Sequence, residues 1–202
     1  MKTIPTALVL MLTLLPALVG CGRVRYPVYY TLNLPAPPDP PAPERVRTSI
    51  AVREFQSPNY LRQGPIVYRT TAEEIGFYEY HRWAAEPRTL VTSAVIDHLR
   101  ASAQYSMVST YDGRPDNDYI LSGKLEKLEE VDYTGGVKVE VALSAQITKV
   151  NTGARVWSNA VCEIQTVPKR TVPGVVSEMN RTVEIALNKL LSTIPAPLAS
   201  EQ

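Results

Sequence analysis

Two cysteines and two histidines are all that 202 residues offer to thiol or metal chemistry. They are Cys21, Cys162, His81 and His98, too few for a disulfide framework, so the fold has to rest on its own core. Excess charge of either sign is missing as well: 21 Lys and Arg stand against 20 Asp and Glu. That balance excludes nucleic acid as a partner, because a phosphate backbone demands clustered cations. There is no glycine-rich phosphate loop, no paired-cysteine motif and no nucleophile elbow. Beyond residue 20 no apolar run approaches the roughly 20 residues that span a bilayer. No internal repeat is visible. With 45% hydrophobic residues, the body reads as one soluble domain.

What is present begins at the N-terminus. Lys2 supplies a thin positive region, and residues 7–18 form an apolar stretch within the range of about 7–15 for a secretory signal. Pro16 weakens any continuous helix there. A short membrane helix, or a signal that merely ends near a cysteine, are the competing readings. The stretch closes on Leu18-Val19-Gly20-Cys21, which resembles the lipobox of bacterial lipoproteins. That resemblance implies cleavage before Cys21 and a covalent lipid on its thiol, the only prosthetic group expected. Each buried methylene contributes about 0.8 kcal/mol, so several acyl chains would anchor the protein almost permanently. With Cys21 acylated, Cys162 has no disulfide partner. The residue after the cysteine is Gly22, where an Asp in lipoproteins of this kind usually means inner-membrane retention, so the resemblance implies the outer membrane, facing the periplasm. The division is a signal peptide at 1–20, an anchor segment at 21–25, a domain at 26–195 and a disordered tail at 196–202.

Along the domain, Val28, Tyr30, Leu32 and Leu34 alternate with Tyr29, Thr31 and Asn33, the period of a half-buried strand. Residues 35–43 hold six prolines in nine positions. They predict a polyproline II connector of about 28 Å if fully extended, a loop between strands rather than a docking peptide. Strands follow at 49–55, 66–69 and 75–81, the last two paired across the polar turn 70–74. A helix after Pro87 buries Leu90, Val91, Ala94, Val95, Leu99 and Ser102 and turns Arg88, Thr92, Asp97 and Arg100 outward. A short strand at 105–110 precedes a turn at 112–118. A long strand at 118–133 carries a bulge near Lys127, where the apolar phase shifts between Leu125 and Leu128. Gly135-Gly136 turns the chain into the cleanest period-two pattern of the sequence, Val137 to Thr148, and residues 154–166 return as a further strand. A last amphipathic helix is marked by apolar residues from Val172 to Ile194, with Pro173 in its first turn and Pro195 ending it. Two helices with one apolar stripe each cannot cover both faces of such a sheet. The fold class is therefore α+β: a mostly antiparallel sheet with both helices on one face.

No catalytic set emerges. Asp97 and His98 are sequence neighbours on a helix and point apart, so His98 is read as bordering the apolar stripe. Cys162, in phase with Ala160 and Ile164, reads as a small buried hydrophobe without a basic neighbour. Glu126, Glu129, Glu130 and Asp132 read as solvated hairpin residues rather than a calcium site. The chain is expected not to be an enzyme and to hold no metal.

Aromatic residues crowd one block: Tyr60-Leu61, then Ile66-Val67-Tyr68-Arg69, then Phe77-Tyr78-Glu79-Tyr80-His81-Arg82-Trp83. Two readings stand side by side. Phe77 and Trp83 are core and the tyrosines merely cover strand surface, or Tyr60, Tyr68, Tyr78 and Tyr80 join Arg69 and Arg82 in a partner-binding surface. This block, with Tyr29-Tyr30-Thr31-Leu32 ahead of it, resembles the ABC-type transport auxiliary lipoproteins, the PqiC-like family, from residue 26 to about 194. The resemblance implies a fold like the TolB amino-terminal domain and, in some members, a homo-oligomeric ring. It also implies work beside a periplasmic MCE-domain protein and an ABC permease and ATPase that move lipids or other apolar molecules. The proline segment at 35–43 departs from the family pattern. A free-standing structural lipoprotein and a direct lipid carrier are the rival functions.

Overall fold

The computed structural model describes residues 24–34, 48–133 and 135–195. Cys21, the proline segment and the tail 196–202 lie outside the described residues. Eight strands form one sheet: β1 (Val28–Tyr30), β2 (Ser49–Val52), β3 (Pro65–Arg69), β4 (Gly76–Trp83), β5 (Met107–Thr110), β6 (Tyr119–Val131), β7 (Lys138–Lys149) and β8 (Arg155–Thr166). Among the described residues two α-helices accompany it, α1 (Pro87–Ala101) and α2 (Val172–Leu191).

β6 is the spine. Along one edge it pairs antiparallel with β7 over its whole length, and β7 pairs antiparallel with β8. The other edge is shared end to end by two short parallel partners. β2 takes the beginning, with Val52 opposite Leu121, and β3 takes the end, with Arg69 opposite Val131. The sheet therefore forks. One arm adds β5, parallel to β2; the other adds β4, antiparallel to β3, and then β1, parallel to β4. Residues 53–62 fill the fork. Gln56 donates its amide to Gly123 O at 2.9 Å and accepts from Leu125 N at 2.8 Å, and a short 3-10 helix, Asn59–Arg62, follows.

The α+β class is as the sequence predicts, and antiparallel pairing dominates by length. The four short parallel pairs were not foreseen. Alternation marks which face a side chain takes but carries no sign of strand direction. β2 and β5 are joined through α1 as a parallel crossover, with the β3–β4 hairpin inserted between them.

Both helices lie on one face and touch each other. α1 packs on β2, β5 and β6, and α2 on β6, β7 and β8. Under them Val139, Val141, Leu143, Ala145 and Ile147 of β7 are all buried. From α2 come Val175, Met179, Val183, Ala186, Leu187 and Leu190, and each such large side chain contributes about 1.5–3 kcal/mol of burial. The start of α2 is fixed by Thr171, whose Oγ1 accepts from Gly174 N at 3.2 Å, and by Pro173. The predicted bulge lies between Leu125 and Lys127, and it lets Leu125 and Leu128 both point inward, fully buried. Among the described residues no helix is long and apolar enough to cross a membrane.

Three local expectations are corrected. The first strand is only three residues long and starts at Val28, with Leu32 buried after it has ended. Thr92 does not face out. It is buried, its Oγ1 donating to Arg88 O at 2.7 Å and accepting the Phe55 amide at 3.0 Å. That hydroxyl satisfies an amide where β2 has left the ladder. Phe77, on β4, is 37% exposed, whereas Trp83 is core at 4%.

Candidate functional site

The aromatic block falls on the arm made by β3, β4 and β1. Tyr68 sits opposite Gly76, and its ring occupies the space a Cβ at residue 76 would need. A chain of rings crosses the three strands. Tyr68 and Tyr78 stack tilted at 5.0 Å between centroids, Tyr78 meets the edge of His81 at 5.8 Å, and His81 meets Tyr30 at 5.8 Å. Tyr30 Oη and His81 Nδ1 are 3.0 Å apart. Tyr78 donates its hydroxyl to Glu130 Oε2 at 2.8 Å. Burial pushes the Tyr78 phenol well up, and the bond to Glu130 and its charge push the same way. Burial also raises the Glu130 carboxyl.

Glu129, the preceding residue of β6, points to the opposite face. It is fully buried, and Arg69 Nε donates to its Oε1 at 2.7 Å while Arg69 Nη1 donates to Ala72 O at 3.0 Å. Tyr60 reaches in from the 3-10 helix, its hydroxyl 3.3 Å from Glu126 O and 3.5 Å from Glu129 Oε2. Burial raises the Tyr60 phenol, and the charge of Glu129 adds to it. Glu129 and Glu130 are thus buried and not solvated hairpin residues. The fork in the sheet, invisible in sequence, covers them on both sides.

Of the six residues read as a partner surface, Tyr60, Tyr68, Arg69 and Tyr78 are bonded or stacked inside this arm. Arg82 donates to Gln63 O at 2.9 Å and lies against Gly64, whose φ of +95° suits glycine. Tyr80 is half exposed, with the Arg25 guanidinium 5.9 Å from its ring centroid. The structure brings Tyr68 and Tyr78 together, and Tyr60 and Arg69 around Glu129. Tyr80 and Arg82 stand apart from both groups.

Cys162 is exposed on β8, not buried. β8 is an edge strand, and its residues in phase with Ala160 and Ile164 face away from α2. The basic neighbour not evident in the sequence is Lys127, brought close by the bulge. Its Nζ lies 2.8 Å from Glu140 Oε1, and the same oxygen accepts from Cys162 Sγ at 3.5 Å. Partial burial raises the thiol, and the bond to Glu140 and its charge raise it further, against the opposite pull of Lys127. The cluster therefore keeps the thiol protonated and weakly nucleophilic. His98 ties the two helices, with Nδ1 3.0 Å from Ala94 O and Nε2 3.0 Å from Asn188 Oδ1. Asp97 pairs instead with Arg100 at 3.5 Å.

The family model described as the ABC-type transport auxiliary lipoprotein component matches residues 30–189. Among curated proteins, none matches the sequence. The solved structure of protein XCC0632 from Xanthomonas campestris is similar at a TM-score of 0.69 and 16% identity, covering 81% of this chain and 92% of that one. A second solved protein, described only as uncharacterized, is similar at 0.64 and 14% identity, covering 84% and 99%. At such identities the two structures speak for the fold, which they share over nearly their whole length. The sequence match covers every element from Tyr30 to the last turn of α2, including the ring chain and the buried Arg69–Glu129 pair. On that match, the chain belongs to the ABC-type transport auxiliary lipoprotein family.

Proposed function

We propose that this protein is a non-catalytic accessory subunit of an envelope transport system, held by an acylated Cys21 on the periplasmic face of the outer membrane. It serves a periplasmic MCE-domain protein and an ABC permease and ATPase that carry lipids or other apolar molecules between membranes. The observation that carries the reading is the family match over residues 30–189, following an apolar N-terminal run that ends at Cys21. The polar clusters support it, because their strong groups face one another rather than a substrate. Glu129 holds Arg69, Glu130 holds Tyr78, and Glu140 holds Lys127 and Cys162. Of the tyrosines read as a partner surface, Tyr80 is the one outside both bonded groups, with the Arg25 guanidinium by its ring, and it is the first choice for contact with the bridge protein.

The direct-carrier reading meets a packing obstacle. The layer between sheet and helices is filled by Leu121, Leu125, Leu143, Ile147, Met179 and Leu187, all buried, and an acyl chain there would have to displace them.

The test is Cys21→Ala in the full chain. Fractionation is expected to move the protein from the outer membrane to the soluble periplasm, with loss of metabolic palmitate labelling. Pull-down from solubilised membranes is expected to recover the MCE-domain protein with the parent and less of it with Tyr80→Ala, at unchanged thermal stability. Retention of Cys21→Ala in the membrane overturns the anchor. A Tyr80→Ala variant that unfolds makes that ring structural.

A further inference from the structure

The first described residues lead straight from the anchor position into an exposed aromatic edge. Val24 is 69% exposed, Tyr26 79%, Val28 48% and Tyr29 60%. Val24, Arg25, Tyr26 and Val28 line one shallow concavity with Tyr80. β1 is the last strand of its arm, so its outer row of backbone groups is unpaired among the described residues. Val28 and Tyr29 project to opposite sides of that edge. A bare edge strand carrying apolar and aromatic side chains on both sides is a surface that needs cover.

We infer that the β1 edge is a membrane-contact face, resting in the headgroup layer of the leaflet that carries Cys21. This rests on the acylation of Cys21 proposed above.

Chain length confines the geometry. Val24 is three residue steps along the chain from Cys21, and a fully extended chain advances at most about 3.6 Å per residue, so Val24 lies within about 11 Å of the acylated residue. The headgroup layer is itself roughly 5–7 Å thick on each side, which places Val24 in it or just above. Orientation agrees. β1 runs opposite to β6, so Val24 to Tyr26 lie at the end of the sheet where the β6–β7 hairpin turns.

The chemistry suits this layer and not a deeper one. Tyrosine has an apolar body and a polar tip, and it concentrates where one end is dry and the other wet. Arg25, with its guanidinium by Tyr80, can meet a lipid phosphate while its stem lies along apolar groups. The unpaired backbone edge stays hydrated among headgroups, whereas hydrocarbon would leave it unsatisfied.

The experiment uses full-length lipidated protein in vesicles of phosphatidylethanolamine and phosphatidylglycerol, with or without bromine on the acyl chains. Tyr26→Trp and Tyr29→Trp place an indole on the edge. Met107→Trp places one on β5, at the opposite end of the sheet, where Met107 is 51% exposed. Trp83 and Trp157 are buried, and their emission is subtracted with the parent protein.

Flotation is measured on the same samples. The inference expects position 26 or 29 to shift to the blue and lose most of its emission in brominated vesicles, with position 107 unchanged. Protein that floats while all three positions behave alike overturns the membrane contact and leaves the anchor standing. Protein that does not float overturns the anchor and the contact together. An edge indole that is unquenched on vesicles but crosslinks two chains through that position assigns the edge to a second copy and overturns the bilayer as its occupant.

Discussion

Single residues explain where local pattern and structure part. Gly123 sits inside the long β6 strand, where a glycine costs stability and alanine should be better by about 0.5–1 kcal/mol. The structure reverses that sign. The fully buried Phe55 ring occupies the space in which a Cβ at residue 123 would lie, and the Phe55 amide is fixed by Thr92, so the ring has nowhere to go. Gly123→Ala is expected to destabilise the domain by about 1–3 kcal/mol, read as a lower urea midpoint; a neutral or raised midpoint would show that the ring can move. None of this was legible in sequence. A glycine in a strand marks a close approach but not what approaches, and Thr92 looked like an outward threonine because its partner is 37 residues away in the chain. Cys162 was misread for a related reason: its phase on β8 was right, but an edge strand covered on one face leaves the other phase open.

Glu130 gives a pH-dependent outcome at the same scale. Its carboxyl is raised in the fold, by burial first and by the charge of Asp132, against the bond from Tyr78. The folded chain therefore keeps this proton at a pH where the unfolded chain has released it. The group's share of stability is present below the ordinary glutamate pKa and is lost as pH rises through the raised value. Glu130→Gln is expected to flatten that decline and leave the domain more stable than the parent at neutral pH, since an amide oxygen still accepts from Tyr78 while no charge is left to bury. A Glu130→Gln stability profile that runs parallel to the parent's between pH 4 and 7 would contradict this.

At the scale of elements, the sequence spoke clearly where one face is dry and the other wet. The alternation of β7, the stripes of α1 and α2 and the bulge of β6 could all be read, because each follows from a periodicity or a break in one. The fork was not, since nothing local states that β2 and β3 share one edge of β6. The junction of β3 with β6 is held by Arg69 and Glu129, whose side chains are 15% and 0% exposed. Removing one partner strands a charge, so Arg69→Ala is expected to cost about 3–5 kcal/mol. Replacing both, as Arg69→Met with Glu129→Leu, is expected to cost clearly less. Denaturant unfolding of the two variants decides it: equal losses would mean that the pair acts through shape rather than charge.

For the whole molecule, the N-terminal strand is the handle by which a membrane would hold the body, and it is held lightly. β1 contributes three paired residues against β4, with Ala84 N donating to Tyr30 O at 2.7 Å just beyond. Tyr30 adds its contact with His81 and Leu32 its burial, and a further grip comes from one side chain of α2. Asn180 accepts the Asn33 amide on Oδ1, and its Nδ2 donates to Val176 O at 2.9 Å and approaches Thr31 O at 3.5 Å. The clamp ties the segment after β1 to the helix that packs across β6, β7 and β8, so a pull on the N-terminus is shared with the large arm rather than borne by β4 alone. Losing it removes roughly one net hydrogen bond, about 1 kcal/mol, from the free energy of opening this segment while leaving the global core intact. Asn180→Ala is therefore expected to speed amide exchange in residues 26–34 about fivefold, the exponential of that loss, with exchange in β6 and β7 and the thermal midpoint unchanged. Exchange in residues 26–34 that matches the parent would place the grip on β4 alone, and a uniform acceleration across the sheet would make Asn180 part of the global fold rather than the latch of its handle.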